Sequence, residues 1–163
     1  MDGGLELLTE DQARTLLAGS EVGRIGISMG ALPAIFPGNY RVVDDAIVFR
    51  TAPGSKLSAA ASDAVVAFEV DDYEVPDRSG WSVLAIGQAE VVEDADVIER
   101  VQATNLEPFA DGARTAIVRI VPSFISGRRL VHASRAAERR AHGEHDDGGD
   151  RLDSSRVSEL PDR

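Results

Sequence analysis

Short extended segments separated by glycine, proline and acidic turn residues run from residue 23 to residue 125. Among the features of the sequence, this pattern restricts the possible folds most strongly. In Gly23–Met29 the apolar Ile25 and Ile27 alternate with other residues, as on a half-buried strand. Asp44 and Asp45 lie between two such segments and predict a tight hairpin turn. The pattern predicts six strands: Gly23–Met29, Leu32–Val43, Ala46–Thr51, Ala64–Val70, Trp81–Val92 and Ala116–Ile125.

Three other segments have the features of helices. Thr9 followed by Gln12 makes a capping box in front of an apolar stripe. Lys56–Ala61 is predicted as a short helix, and Asp94 is placed to cap a helix that runs to about Leu106. Strands joined mainly by hairpins, with helices between some of them, indicate the α+β class with an antiparallel sheet. Six strands around an aliphatic interior favour closure into a barrel, which removes exposed edges.

Several strands are predicted to be irregular. Pro33 and Pro37 restrict the second strand to an edge or a bulge, because proline donates no backbone hydrogen bond. Gly87 marks a bulge or bend in the long fifth strand. Asp71–Gly80 is predicted to be a polar loop, and Pro122 to break the last strand.

The composition divides the chain into two parts. Residues 1–132 are predicted to form one folded domain, since the length and the hydrophobic fraction of 43% allow a core of ordinary size. Residues 133–163 hold mixed charges and almost no large apolar side chains, which predicts a disordered polar tail. The alternative for this tail is a solvated helix around Arg135–Arg140.

Composition also excludes several classes of function. The net charge of −11 argues against attraction to nucleic acid, and no apolar run approaches the roughly 20 residues of a membrane span. Met1–Glu10 lacks the layout of a secretory signal, so a soluble cytoplasmic protein is expected. There is no cysteine, and the histidines are His132, His142 and His145. Catalytic triads and zinc or other metal sites are therefore not expected in the barrel, and any reactive group must come from a cofactor.

The segment Phe49–Lys56 is the most informative stretch for function. A strand ends in Arg50 and Thr51, a Pro-Gly turn follows, and Ser55 with Lys56, the only lysine, opens a short helix. A guanidinium, an ammonium group, two hydroxyls and free helix amides all suit phosphate oxygens. The sequence therefore predicts a phosphate site here. The alternative is that the two cations are ordinary surface charges and the serine is only a helix cap.

Trp81 is the single tryptophan and opens the long strand together with Ser82. A lone tryptophan is as often a core or dimer contact as a partner for a flat heteroaromatic ring. Asn39 and Gln88 have amides that suit ring carbonyls, but each is equally well explained as a solvated strand residue. Both interpretations stay open for all these residues.

Four phrases of the sequence together resemble one family. They are PAIFPGNY at 33–40, IVFRTAPGSKL at 47–57, GWSVLAIGQAEVVED at 80–94 and IVPSFISGRRL at 120–130. In this combination and order they resemble the pyridoxamine 5'-phosphate oxidase-related, FMN-binding split-barrel proteins, over roughly Leu8 to Leu130. The resemblance implies an α+β fold with a mainly antiparallel six-stranded split β-barrel and flanking helices. It also implies a homodimer with two flavin sites across the subunit interface.

The resemblance further implies which residues bind FMN. The phosphate would be held by four residues, Arg50, Thr51, Ser55 and Lys56. The backbone of Ile35, Phe36 and Pro37, with Asn39 nearby, would flank the isoalloxazine and ribityl chain, and Trp81 and Ser82 would approach from the partner subunit. Related branches use a deazaflavin instead, which is the alternative cofactor, and others bind heme, which the lack of a histidine before His132 disfavours.

The function expected from the resemblance is a flavin-dependent oxidoreductase that transfers hydride to an unknown small substrate. The chain lacks the C-terminal Trp-Arg and Arg-Leu-rich motif of true pyridoxamine-phosphate oxidases, which disfavours vitamin B6 oxidation and places it nearer the short, nitroimidazole-resistance-like branch. The alternative is a non-catalytic flavin or deazaflavin carrier. A structural dimer with a decayed pocket is a weaker third possibility. No catalytic residue is predicted.

Overall fold

The computed structural model describes residues 4–53, 55–61, 63–107 and 116–131, and within α2 it leaves out the side chains of residues 56, 59 and 60. The predicted tail, residues 133–163, lies outside the described residues. In chain order the elements are β1 Gly4–Leu8, α1 Glu10–Gly19, β2 Val22–Met29, β3 Leu32–Val43, β4 Ala46–Thr51, α2 Lys56–Ala61, β5 Ala64–Glu74, β6 Ser79–Val91, α3 Ala95–Ala103 and β7 Ala116–Val131.

The strands form a closed antiparallel ring. The sheet order is β1-β7-β4-β3-β2-β5-β6, and a further pairing of β6 with β7 closes six of the strands on themselves. This confirms the α+β class and the six-stranded barrel. The N-terminal strand β1 was not predicted and lies outside the ring, where it pairs with the second half of β7. None of the helices in the described ranges is long and apolar enough to cross a membrane.

The barrel interior is aliphatic, with one aromatic pair. Ile25 and Ile27 point inward on alternate positions of β2, as the sequence pattern predicted. The ring of Tyr40 packs edge-on against Phe68 with centroids 4.8 Å apart. The Tyr40 hydroxyl donates to the Leu17 carbonyl at 2.5 Å, which ties α1 to β3. Burial raises the pKa of Tyr40 to about 12, because the phenolate would lose its hydration.

A bulge lies where glycine predicted it. The β6–β7 register shifts between Ile86 and Gly87, and Gly87 lies opposite Pro122. A Cβ at residue 87 would come within 2.1 Å of the Val121 carbonyl oxygen, so the two backbones can approach only at a glycine. The prediction that Pro122 breaks the last strand was wrong, because β7 passes this point in the bulge and continues to Val131.

The β3–β4 and β5–β6 hairpins differ in how well the sequence predicted them. Asp44 and Asp45 both have positive φ, 50° and 61°, as a two-residue turn of type I′ requires. The predicted polar loop Asp71–Gly80 was wrong. Here β5 runs to Glu74 and pairs it with Ser79 of β6, leaving only a four-residue turn. Backbone pairing extends these strands into solvent, beyond the point where their side chains become polar.

The caps of two helices form where the sequence predicted them, and one of these helices, α3, covers β4. In α1 the capping box of Thr9 and Gln12 forms as predicted. The helix capped by Asp94 ends at Ala103, earlier than the predicted Leu106, and Asn105 adopts a left-handed φ of 51° that stops it. A second apolar cluster then packs α3 and the residues after it over β4 and β7. Its buried members are Val48, Val92, Val97, Val101, Leu106 and Ile117.

Candidate functional site

The β3 and β4 strands separate at one end, and we name this point the β3–β4 fork. Their ladder runs only from Val43↔Ala46 to Tyr40↔Phe49. Beyond it β3 continues along β2 from Asn39 back to Leu32. In the described part of the chain, no strand pairs with the other edge of Leu32–Asn39. Backbone donors and acceptors along this edge are therefore available to a ligand.

Two predicted site residues meet at the fork. The Asn39 side-chain amide donates to the Glu107 carbonyl oxygen at 3.2 Å. An Nη1 of Arg50 donates to the Leu106 carbonyl oxygen at 3.3 Å. Both side chains thus contact the short segment that follows α3, and this segment holds them beside the open edge of β3.

A groove, here called the α3 groove, opens beside Arg50. It has a volume of about 220 Å³ and is lined by Arg50, Val101, Gln102, Asn105, Leu106, Glu107 and Ile117. Val101, Leu106 and Ile117 are buried and form an apolar floor. Gln102, Asn105 and Glu107 are exposed at the rim.

Thr51 and Ser55 form a second polar pair close to the fork. Their hydroxyl oxygens lie 3.1 Å apart, and the Ser55 hydroxyl also accepts from the Ser58 amide at 3.0 Å. Thr51 is only 1% exposed, so it supports Ser55, whereas Ser55 itself is half-buried and accessible. The side chain of Lys56 lies outside the described residues.

The predicted phosphate ligands do not all lie on one face of β4. Phe49 packs in the barrel core and Val48 in the cluster under α3, which fixes the two faces of the strand. Successive side chains of a strand alternate between its two sides. Thr51 therefore lies on the core side of β4 with Phe49, and Arg50 lies on the α3 side with Val48. The structure therefore brings Thr51 to Ser55 and Arg50 to Asn39, as two separate pairs.

The three β3 residues predicted to flank the ring lie on the open edge. Ile35 is 71% exposed and Pro37 is exposed as well. Phe36 between them packs against the barrel core. The strand is thus anchored by one side chain while its neighbours leave the backbone accessible.

Trp81 and Ser82 lie at the start of β6, and no described hydrogen bond links either residue to the fork. Trp81 packs against the barrel core, which agrees with the interpretation of a lone tryptophan as a core contact. Both residues also line a shallow groove of about 320 Å³, together with Tyr73 and Arg128.

The outer surface of β1, β5, β6 and β7 carries exposed apolar side chains in cross-strand rows, and we name it the outer face. One row joins Tyr73, Gly80, Leu130 and Leu5 through the strand register, and another joins Val65, Gln88 and Val121. Because the bulge at Gly87 adds one residue to β7, both rows lie on the same face. Val65 is 74% exposed and Leu5 62%.

A charged cluster interrupts this apolar surface. Arg24 of β2 forms ion pairs with Asp71 at 2.5 Å and with Glu69 at 3.1 Å. The hydrogen bond from Asp71 and the negative charges of both carboxylates raise the pKa of Arg24 above its ordinary value. The guanidinium therefore stays charged, and the cluster is fixed by opposite charges on adjacent strands.

Apart from Arg50, the residues that line the α3 groove were not predicted as site residues. Leu106 and Glu107 contact the site through their carbonyl oxygens, which any residue would supply. Gln102 and Asn105 were included in the predicted helix. The one available signal was Asn105, because asparagine tolerates the left-handed conformation that ends a helix.

A six-stranded antiparallel barrel with a strand fork and a cap of short helices defines the split-barrel class of proteins. The family model for pyridoxamine 5'-phosphate oxidase matches residues 9–129. The chain belongs to this family, and the resemblance seen in the sequence is confirmed. An uncharacterised protein of Mycobacterium tuberculosis, Rv0080, is 40% identical over 133 residues, which cover 78% of this chain and 87% of that one.

Solved structures agree with this assignment. The chain resembles a FAD binding protein of Mycobacterium smegmatis with 33% identity and a TM-score of 0.62, over 77% of this chain and 98% of that one. It also resembles a candidate pyridoxamine 5'-phosphate oxidase of Corynebacterium glutamicum, with 35% identity and a TM-score of 0.69, over 80% and 96% of the two chains.

Proposed function

We propose that this protein binds a flavin at the β3–β4 fork and acts as a flavin-dependent oxidoreductase on a small molecule. The convergence of Asn39 and Arg50 on the Leu106–Glu107 segment supports this most directly, since it puts a guanidinium beside an open strand edge. The similar M. smegmatis protein is described as FAD binding, which adds support.

The polar groups of the fork suit the FMN part of a flavin. Arg50 would present a planar fork of donors to a phosphate at the end of β4. Ser55, which Thr51 holds in place on the other side of the strand, would reach the same phosphate from the start of α2. Lys56 is proposed as a second cation at the same phosphate. The backbone of Ile35–Pro37 and the amide of Asn39 would hydrogen-bond the polar edge of the ring.

The proposed activity is redox chemistry because the barrel's sequence contains few groups for other chemistry. Residues 1–131 contain no histidine and no cysteine. A bound flavin supplies hydride transfer without requiring a protein acid or base. The chain's own part is then to hold the phosphate, to orient the ring against β3, and to keep water from one side of it with the apolar wall of the barrel.

The outer face is proposed as the interface of a homodimer. Its exposed apolar side chains lie next to one another in cross-strand rows, whereas scattered single apolar residues are normal on a monomer surface. In this arrangement Ser82 of each subunit would lie on the interface, and Trp81 would approach the flavin of the other subunit through the shallow groove that both residues line. Two flavin sites would then lie across the interface.

Flavin titration tests the binding proposal. Purified protein is titrated with FMN, FAD and a deazaflavin while flavin fluorescence is followed. We expect Arg50→Ala to raise the dissociation constant about tenfold or more, because it removes a charged phosphate donor, with a larger loss in the double variant with Lys56→Ala. Arg14→Ala is the matched control, since Arg14 is paired only with Glu10 on α1 among the described contacts. Protein that binds none of the three would refute the proposal.

A turnover assay separates the enzyme from a carrier. Steady-state reduction of the bound flavin by NADPH or by a reduced deazaflavin, with an artificial acceptor, is expected for an oxidoreductase. Tight binding with no turnover from either donor would instead support the non-catalytic flavin or deazaflavin carrier.

A further inference from the structure

We propose that Thr51 is a positioning residue, whose buried hydroxyl turns the Ser55 hydroxyl outward as a hydrogen-bond donor for the phosphate of the flavin. The inference rests on the proposed flavin site and gives Thr51 a role different from that of a phosphate ligand. Three observations on the described residues carry it: the burial of Thr51, the hydrogen bonds of Ser55, and the number of protons that the two hydroxyls share.

Thr51 is too deeply buried to contact a ligand itself. It is 1% exposed, on the core side of β4, whereas Ser55 is half-buried and accessible. The two hydroxyl oxygens lie 3.1 Å apart, and the Thr51 side chain makes no other hydrogen bond within the part of the chain that the structure describes. Any effect of Thr51 on a bound ligand must therefore pass through Ser55.

The direction of the hydrogen bond between the two hydroxyls follows from their surroundings. The Ser55 oxygen already accepts a hydrogen bond from the Ser58 amide at 3.0 Å. If Ser55 also donated its proton to Thr51, the Thr51 proton would be buried without an acceptor among the described residues, and an unsatisfied buried donor is costly. The favoured arrangement is therefore the other one, in which Thr51 donates to Ser55.

This arrangement leaves Ser55 with one group to offer a ligand. A hydroxyl has one donor and two acceptor sites, and both acceptor sites of Ser55 are then used, by Thr51 and by the Ser58 amide. The remaining proton points away from both partners. The ligand group that fits it is an acceptor, and the strongest acceptor of FMN is an oxygen of its phosphate. A group that only donates hydrogen bonds does not fit at this position.

A comparison of FMN with riboflavin tests the role, because the two ligands differ only in the phosphate. Purified wild-type and variant proteins are titrated with each ligand while flavin fluorescence is followed. We expect Thr51→Val, which keeps the shape of the side chain and removes its hydroxyl, to raise the FMN dissociation constant about fivefold. Riboflavin affinity should not change, since riboflavin has no phosphate for Ser55 to meet. A structural defect in the barrel would weaken both ligands alike.

Further variants test the path through Ser55. Thr51→Ser keeps a hydroxyl and should hold the FMN affinity within about twofold of the wild-type value. Ser55→Ala removes the donor itself and should weaken FMN about tenfold, and adding Thr51→Val to it should cause no further loss. Thr15→Val is the matched control, because the Thr15 hydroxyl donates to the Asp11 carbonyl oxygen at 2.8 Å on the exposed side of α1. It should leave both affinities unchanged.

The outcomes separate this role from the flavin site itself. An FMN affinity that Thr51→Val leaves unchanged, or a riboflavin affinity that falls with it, would overturn the role and leave the flavin site standing. Losses that add in the double variant would also overturn it, because Thr51 would then act without Ser55. Wild-type protein that binds neither ligand would overturn it as well, and the titrations with FAD and a deazaflavin then decide whether the proposed flavin site stands.

Discussion

The two sides of the barrel are built differently. On one side, β5 and β6 are paired at eleven positions and β6 and β7 at twelve. On the other side, β3 and β4 are paired at only four before they separate at the fork. The long ladders close the ring. The fork leaves backbone groups unpaired within the described residues and gathers Asn39 and Arg50 beside them.

This contrast indicates a division of labour. Stability should depend on the long ladders, because their removal would open the barrel, and ligand binding should depend on the fork, where the sheet is incomplete. Variants on one side should therefore change one property and leave the other nearly intact. The predictions below test that separation, beginning with the largest expected effect.

The bulge at Gly87 should be the most sensitive point of the ladder side. In Gly87→Ala the new Cβ would come within 2.1 Å of the Val121 carbonyl oxygen, a backbone atom that cannot move without breaking the register. We expect a loss of about 3 kcal/mol in the free energy of unfolding, as for severe overpacking. Urea denaturation followed by circular dichroism measures it.

Gly19→Ala is the control for this substitution. A Cβ at residue 19 would meet nothing within 4 Å. Alanine there should be neutral or stabilise by about 0.5 kcal/mol, because it is the better helix former. A tolerated Gly87→Ala would show that the bulge is not essential, and the contrast between the two sides would fail.

The second effect concerns the outer face. Phe124 of β7 is 52% exposed and lies opposite Ile86 of β6. Phe124→Glu places a charge in the proposed dimer interface, and the dimer dissociation constant should rise about a hundredfold. Sedimentation analysis over a range of concentrations measures the change. If the wild type is already a monomer at micromolar concentrations, the proposed interface is wrong.

The sequence was sufficient to predict most of the barrel strands on both sides. Alternating residues such as Ile25 and Ile27, together with the Asp44–Asp45 turn, are local signals, and each predicted strand is found. The extent of β5 beyond Val70 was not predicted, because backbone pairing with β6 fixes it and the exposed side chains there are polar. The β1 strand was missed for a similar reason, since it depends on pairing with distant β7.

The fork was predicted less completely. The sequence indicated Arg50 and Asn39, whose side chains carry recognisable chemistry, but it could not show that they meet at the Leu106–Glu107 segment. Carbonyl oxygens 56 and 68 residues away in the chain accept these hydrogen bonds, and they leave no signal in residue type. Arg50 and Thr51 were grouped by their adjacency, although adjacent residues of a strand point to opposite faces.

A smaller effect is expected for Tyr40, which pairs with Phe49 at the base of the fork. Tyr40→Phe removes the hydrogen bond to the buried Leu17 carbonyl and should cost about 1.5 kcal/mol at pH 7. Flavin affinity should be unchanged, because the hydroxyl points toward α1. A parallel loss of flavin binding would show that the packing of α1 against β3 also shapes the flavin site.

The same residue predicts a pH dependence. Burial raises the pKa of Tyr40 to about 12, above the value of about 10 for an exposed tyrosine. The protonated folded state is therefore favoured below pH 10, and this contribution is lost as the pH rises from 10 toward 12. The midpoint temperature of thermal unfolding should therefore fall more steeply with pH for the wild type than for Tyr40→Phe between pH 10 and 12. Equal slopes would contradict the assigned shift.

The smallest effect is expected for Arg24, and it sharpens the comparison further. Its ion pairs with Glu69 and Asp71 are about half exposed, so Arg24→Gln should cost about 0.5 kcal/mol or less in the isolated subunit. If the outer face is buried in a dimer, the same substitution leaves two carboxylates without their cation in a drier environment. Arg24→Gln should then lower the free energy of unfolding more in the dimeric protein than in protein that also carries Phe124→Glu and is monomeric. Equal losses of stability in both proteins would place Arg24 outside the interface. The charged cluster would then stabilise only the single subunit.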